Sequence, residues 1–196
     1  MSDELSFEEI DEEFENKISV IVRKPQEGKT FICIASIISD IQNIHIVMTM
    51  NTLSAGMQFF GRMEDTIGSK KIIVLNSKKE TAGNCLYAKT VMEVFTLITT
   101  NTDIRVIVCC AHEKRIKQSI IDLIHLASDS VSFNQNKRTF KIHIDEAHKY
   151  IPTNRTSVRI YNSSKVVNSI IGYTGTPDCM WTKKQTDPLF YKILIR

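Results

Sequence analysis

The sequence predicts an α/β domain: a parallel sheet with helices on both faces. Three observations lead there. Six short runs rich in Ile and Val recur along 196 residues. Segments of helix length, with apolar residues at helical spacing, separate them. Only 7 glycines and 4 prolines punctuate the chain, several of them at the ends of runs.

The runs are KISVIV (17–22), IHIVMTM (44–50), KIIVL (71–75), RVIVCCA (105–111), FKIHI (140–144) and SIIGYT (169–174). Each is mostly apolar on both faces, as strands covered from both sides are. Between them, KTFICIASIISD, NTLSAGMQFFGRM, CLYAKTVMEVFTLITT and EKRIKQSIIDLIHLAS read as helices. A parallel crossover needs a dozen or more residues, and these connections supply them. The final DPLFYKILIR opens a new apolar run and stops within it, which leads us to expect a partner domain beyond.

Hydrophobic residues make up 42% and charged residues 24%, the balance of a globular domain with its own core. No apolar run is long enough to cross a bilayer, and the start lacks the layout of a secretion signal. The expectation is a cytoplasmic protein with no membrane partner. Cys33, Cys85, Cys109, Cys110 and Cys179 form no CxxC pair and join no His cluster. They read as reduced, structural thiols.

The net charge of +3 conceals an asymmetry. Residues 1–15 hold eight acids and no base, leaving 14 acids against 25 bases in the remainder. Residues 1–16 are read as an acidic tail and 17–196 as the domain. The basic remainder suits a polyanion; an evenly solvated surface accounts for it equally well.

The first run leads into RKPQEGKTF. A strand, then Gly-Lys-Thr, then a helix is the layout of a phosphate-binding loop, in which backbone N–H groups and the helix N-terminus face the phosphates. Gly28 admits close approach, Lys29 would reach the β- and γ-phosphates, and Thr30 would ligate Mg²⁺. Gln26 and Glu27 complete the loop. Arg23 and Gln26 stand where such loops carry further glycines.

FKIHIDEAHKY holds a second signal. Acids at the exit of a buried strand are costly unless used. At about 5% usage per residue type, a given four-letter string arises in a chain this long roughly once in a thousand. Asp145 would hold Mg²⁺ through its water shell, and Glu146 would orient and deprotonate an attacking water. Acids capping a helix N-terminus are the alternative, which leaves the upstream GKT unexplained. A third signal, IIGYTGTP, ends a later run. Thr174, Gly175 and Thr176 form a turn that can hydrogen-bond the region of His148 and Glu146, or simply end a strand.

In this order the three signals resemble superfamily II helicases of the DEAH type, over nearly the whole chain after the tail. GKT at 28–30 looks like motif I, DEAH at 145–148 like motif II, and TGT at 174–176 stands in the place of motif III. MTMNTLSAG (48–56) is similar to motif Ia and CCAHEKR (109–115) occupies the place of motif Ib. The wording of RKPQEGKT and GYTGTP looks most like helicases of large cytoplasmic DNA viruses, which would extend the localisation to a virion or a viral replication site.

The resemblance implies the first RecA-like, P-loop NTPase domain of a helicase, with ATP and Mg²⁺ as cofactors. Glu146, Asp145 and His148 would be catalytic, and Thr174–Thr176 would couple hydrolysis to movement. Asn51, Thr52 and His112 would touch the backbone of DNA or RNA; plain helix caps explain Thr52 and His112 as well. A second RecA-like domain, in cis or in trans, would supply the arginine fingers on which hydrolysis depends. Two rivals stay open: a non-catalytic nucleic-acid or partner-binding module, and the motor of a restriction or remodelling enzyme. A simple P-loop kinase has no need of DEAH followed by TGT.

Overall fold

The computed structural model describes residues 17–23, 28–50, 52–76 and 85–175, together with the backbone of 194–195. Gln26, Glu27, Asn51, Thr176, Cys179 and the acidic tail lie outside the described residues.

Eight strands form one sheet: β1 (Ile18–Val22), β2 (Ile44–Thr49), β3 (Ile72–Leu75), β4 (Leu86–Ala88), β5 (Val106–Cys110), β6 (Phe140–Asp145), β7 (Val167–Thr174) and β8 (Leu194–Ile195). Their order is β4-β3-β5-β2-β6-β7-β1-β8, and every neighbouring pair is parallel. The helices are α1 (Lys29–Ser39), α2 (Leu53–Ile67), α3 (Val91–Thr100), α4 (Ile120–Asp129), α5 (Val131–Gln135), α6 (Ala147–Thr153) and α7 (Arg155–Ser163). This is the parallel α/β architecture that the runs predict and the RecA-like one that the resemblance implies, and each of the six runs overlaps one of the strands.

Alternation along the strands divides the core into two layers. Ile44, Ile46, Met48, Ile73, Leu75, Ile107 and Cys109 face one side and pack with α3, α4, α6 and α7. Val47, Ile72, Val74, Val106 and Val108 face the other, beneath Cys33 and Ile37 of α1 and Phe59, Phe60 and Met63 of α2. Burying both faces explains why these strands carry almost no exposed polar position. No described helix is long and apolar enough to cross a membrane.

The structure differs from the sequence reading in three places. CLYAKTVMEVFTLITT is not one helix: Leu86–Ala88 forms an edge strand, and α3 starts at Val91 after Thr90, whose side chain accepts from the Glu93 N–H. EKRIKQSIIDLIHLAS opens with a wide π-type turn over Arg115–Ser119 before α4. Residues 147–163, unassigned in the sequence, form α6 and α7, with Pro152 in the last turn of α6.

At the end of β7 the chain is packed against α6 as tightly as backbone allows. A Cβ added to Gly172 would stand 2.7 Å from Ala147 Cβ and 3.2 Å from Ile151 Cδ1. Ala147 is the third letter of DEAH, so the contact seats the first turn of α6, with its flanking Glu146 and His148, on the sheet. We expect Gly172→Ala to destabilise the fold by about 1–3 kcal/mol, since neither neighbour can yield without moving the helix; an unchanged urea midpoint would refute the close approach.

Two buried histidines sit in the layer beneath α1. His45 and His143 are 0% exposed, and His45 Nδ1 lies 2.9 Å from His143 Nε2. Burial pushes both imidazoles below the ordinary value of 6.5, His143 well below. The folded chain therefore resists taking up protons that the unfolded chain accepts below about 6.5. Stability from these groups is present above that pH and lost as pH falls. Melting temperatures should drop between about pH 7 and 5, less so in His143→Gln; parallel or flat profiles would refute this.

Candidate functional site

All strands being parallel, their carboxyl ends lie along one edge of the sheet, where ligands of such folds bind. The order β6-β7-β1 then brings three loops together. Register keeps their ends level: Val22 pairs with Thr174, and Tyr173 with both Ile21 and Asp145.

After β1, Gly28 has φ 80° and ψ 24°, a left-handed conformation that glycine adopts without Cβ strain, and it caps α1. Lys29 and Thr30 form the first turn of α1, which holds no acidic residue and whose opening N–H groups carry partial positive charge. The Lys29 side chain is 15% exposed, and its Nζ lies 3.5 Å from Glu146 Oε1.

Asp145 ends β6 and its Oδ1 accepts the Glu146 N–H at 3.0 Å. Burial, then the neighbouring Glu146 charge, raises the Asp145 carboxyl above its ordinary value; the Glu146 N–H, Lys29 and Lys149 oppose the rise only in part. A carboxyl in that condition gains from a cation placed beside it. Glu146 has φ 51° and ψ 46°, left-handed geometry that costs a non-glycine residue about 1–2 kcal/mol. This backbone turn aims its carboxylate at Lys29, while Oε2 lies 3.4 Å from His148 Nδ1. His148 Nδ1 in turn lies 2.8 Å from Thr174 Oγ1, with Thr174 fully buried.

The structure thus brings Lys29, Asp145, Glu146, His148 and Thr174 to one place, with Gly28, Thr30 and Gly175 on the adjoining loops and helix. Lys29 stands at the head of α1 on one face of the sheet and Glu146 at the head of α6 on the other, so their ion pair crosses the sheet edge. A groove of about 920 Å³ runs from Gly28, Lys29 and Thr30 along α1, with Phe31, Ile34 and Arg62 in its walls. Among the described residues no cluster of three or more His, Cys, Asp or Glu could hold a metal ion. A divalent cation here would rest on Asp145 and the Thr30 hydroxyl, completed by water and phosphate, which is how Mg²⁺ is ordinarily held.

Thr52 and His112 lie on exposed loops after β2 and β5, strands farther along the same edge. The Thr52 side chain accepts the Ala55 N–H at 3.3 Å, and the His112 Nδ1 accepts the Lys114 N–H at 3.2 Å. Both side chains therefore cap local backbone, the alternative the sequence left open, on a surface that also carries Lys114 and Lys117.

Residues that the motifs did not mark also build the site. Gly172 seats α6, and Tyr173 links β7 to β6 through a 2.9 Å bond between its Oη and His143 Nδ1. Their signal was present: a glycine inside an eight-residue strand, and a histidine in each of two apolar strands.

No protein-family model and no curated protein sequence matches the chain. Among solved structures the fold is similar to part of a nuclease-deletion mutant of the Type ISP restriction-modification enzyme LlaGI, solved in complex with a DNA substrate mimic. The match has a TM-score of 0.54 at 13% identity and covers 83% of this chain. The chain spans 16% of that much longer protein, so what the two share is the RecA-like fold of one domain.

Proposed function

We propose that this chain is the nucleotide-binding half of an ATP-dependent nucleic-acid helicase or translocase of the DEAH type, akin to those of large DNA viruses and acting in the cytoplasm. One observation carries the reading: Lys29 and Glu146, 117 positions apart in the chain, meet at 3.5 Å beside Asp145 at the carboxyl edge of a parallel sheet. A lysine on a helix N-terminus binds phosphate, and an acid pair opposite it serves a cation and a water.

In this reading Lys29 releases Glu146 when phosphates arrive and pairs with them instead. Bound Mg²⁺ would neutralise charge on the transferring phosphate, held by Asp145 and Thr30. Glu146, freed from Lys29, takes a proton from the attacking water at its carboxylate oxygen. His148 stands between Glu146 and Thr174, so a change at the acid pair reaches the end of β7 through one imidazole. Thr52 and His112, with the lysines beside them, would face DNA or RNA, and a second RecA-like domain would complete the catalytic charge.

Similarity to part of LlaGI supports a second reading, the motor of a restriction-type or remodelling enzyme. The nucleotide chemistry would be the same.

Isothermal titration should detect Mg²⁺-ATP binding to the chain, and Lys29→Ala should weaken it by tenfold or more, a loss of about 1.4 kcal/mol or greater. Equal affinity in the variant would sink the assignment. With the second domain supplied, Glu146→Gln should bind ATP and reduce hydrolysis by about 10²-fold or more. Thr174→Val removes the partner of His148. It should leave ATP affinity near that of the parent and lower nucleic-acid-stimulated ATPase, read as the ratio of rates with and without single-stranded DNA; an unchanged ratio would exclude the coupling role.

A further inference from the structure

Helix α1 carries Lys29, yet apolar burial holds it loosely. Its only buried residues are Cys33 and Ile37, while Phe31 is 75% and Ile38 45% exposed. Partly buried Ile32 and Ile34 pack beside them, but dispersion and burial are non-directional and fix the helix along its axis less sharply than hydrogen bonds do. Beneath it runs a line of polar contacts that the proposed chemistry does not use. Cys33 and Tyr173 are buried together in the apolar cluster beneath the helix. Tyr173 Oη lies 2.9 Å from His143 Nδ1, His143 Nε2 lies 2.9 Å from His45 Nδ1, and His45 Nε2 lies 3.0 Å from the Asp40 carbonyl oxygen.

One acceptor fixes every proton in this line. A carbonyl oxygen only accepts, so His45 donates from Nε2. Buried and neutral, His45 leaves Nδ1 bare, and His143 must donate to it from Nε2. His143 Nδ1 is then bare and accepts the Tyr173 O–H. No donor meets a donor and no buried group in the line lacks a partner. The line crosses β7, β6 and β2 through diagonal positions of the sheet, which long side chains can span. It starts at Tyr173, which shares a buried cluster with Cys33, one turn after Lys29, and ends at Asp40, the C-cap of the same helix. There the Asp40 carboxylate pairs with Lys141 at 2.5 Å and with Asn43; burial works against its charge, but these partners hold it at about 2.

We infer that Tyr173, His143 and His45 are positioning residues: a polar clamp that ties the C-cap of α1 to β2, β6 and β7 and so sets the reach of Lys29 toward the acid pair and the phosphates. The inference rests on the nucleotide-site reading for its functional consequence, while the clamp itself is a property of the fold. Tyr173 is where the clamp can be opened, because removing the hydroxyl unpairs His143 while leaving the ring in the core.

Three measurements on the same chain test it. Nitrogen-15 spectra of the imidazoles at neutral pH should show both histidines protonated at Nε2 and bare at Nδ1; the opposite tautomer in either overturns the clamp. Tyr173→Phe should speed amide exchange across α1 by about tenfold, with β2 and β5 unaffected, as loss of a buried hydrogen bond allows. It should weaken Mg²⁺-ATP binding by a similar factor. If the parent binds Mg²⁺-ATP and Tyr173→Phe binds it equally well, the positioning role falls. If the parent binds no nucleotide, the reading of the site falls instead, and exchange in α1 alone decides the clamp: no acceleration overturns it.

Discussion

A lysine ammonium and a glutamate carboxylate, each less than a quarter exposed, face one another at 3.5 Å across the carboxyl edge of the sheet. Taking such charges partly out of water is costly unless their geometry is fixed by something else. Here the fixing element is the sheet. Parallel pairing of β6 with β7 and of β7 with β1 brings the ends of three strands level, and a slip of one residue in either pairing would turn every side chain to the wrong layer. The ion pair is thus a consequence of register, and register follows from the near-continuous Ile and Val of the strands.

The two layers are built on different physics. One side of the sheet is closed by α3, α4, α6 and α7 over a large, almost wholly apolar cluster. The other holds a smaller apolar cluster and a buried histidine pair joined to a tyrosine. Apolar packing tolerates small rearrangement at constant area, whereas hydrogen bonds at 2.9–3.0 Å do not. The directional contacts lie under the helix that carries Lys29.

Much of this was legible in the chain. Runs such as KIIVL and RVIVCC can be little but buried strands, and GKT and DEAH are contiguous, so their chemistry is readable without coordinates. What escaped has physical reasons. Leu86–Ala88 is a three-residue edge strand inside a segment whose apolar spacing reads as helix. Helices α6 and α7 have sparse apolar stripes, such as Val158 and Tyr161, broken by Pro152 and Asn154. Gly172, Tyr173 and His143 matter through contacts across strands or layers, and no local pattern encodes which strand lies beside which. The left-handed turn at Glu146 is likewise set by where α6 must begin, not by any preference of glutamate.

The end of β7 shows how one strand can serve both layers. Consecutive residues of a strand point to opposite faces. Gly172 lies against Ala147 of α6, Tyr173 reaches down to His143 and Cys33 beneath α1, and Thr174 turns back to His148 at the head of α6. Lys29 and Glu146 stand at the heads of helices on opposite sides of the sheet, and β7 stands between β1 and β6, the strands that lead to them. Any ligand drawn in between Lys29 and Glu146 must therefore alter the spacing of the two layers at this strand. With no Cβ at Gly172 to cushion the contact and no slack in the bonds of Tyr173 and Thr174, that change has to pass along β7 itself.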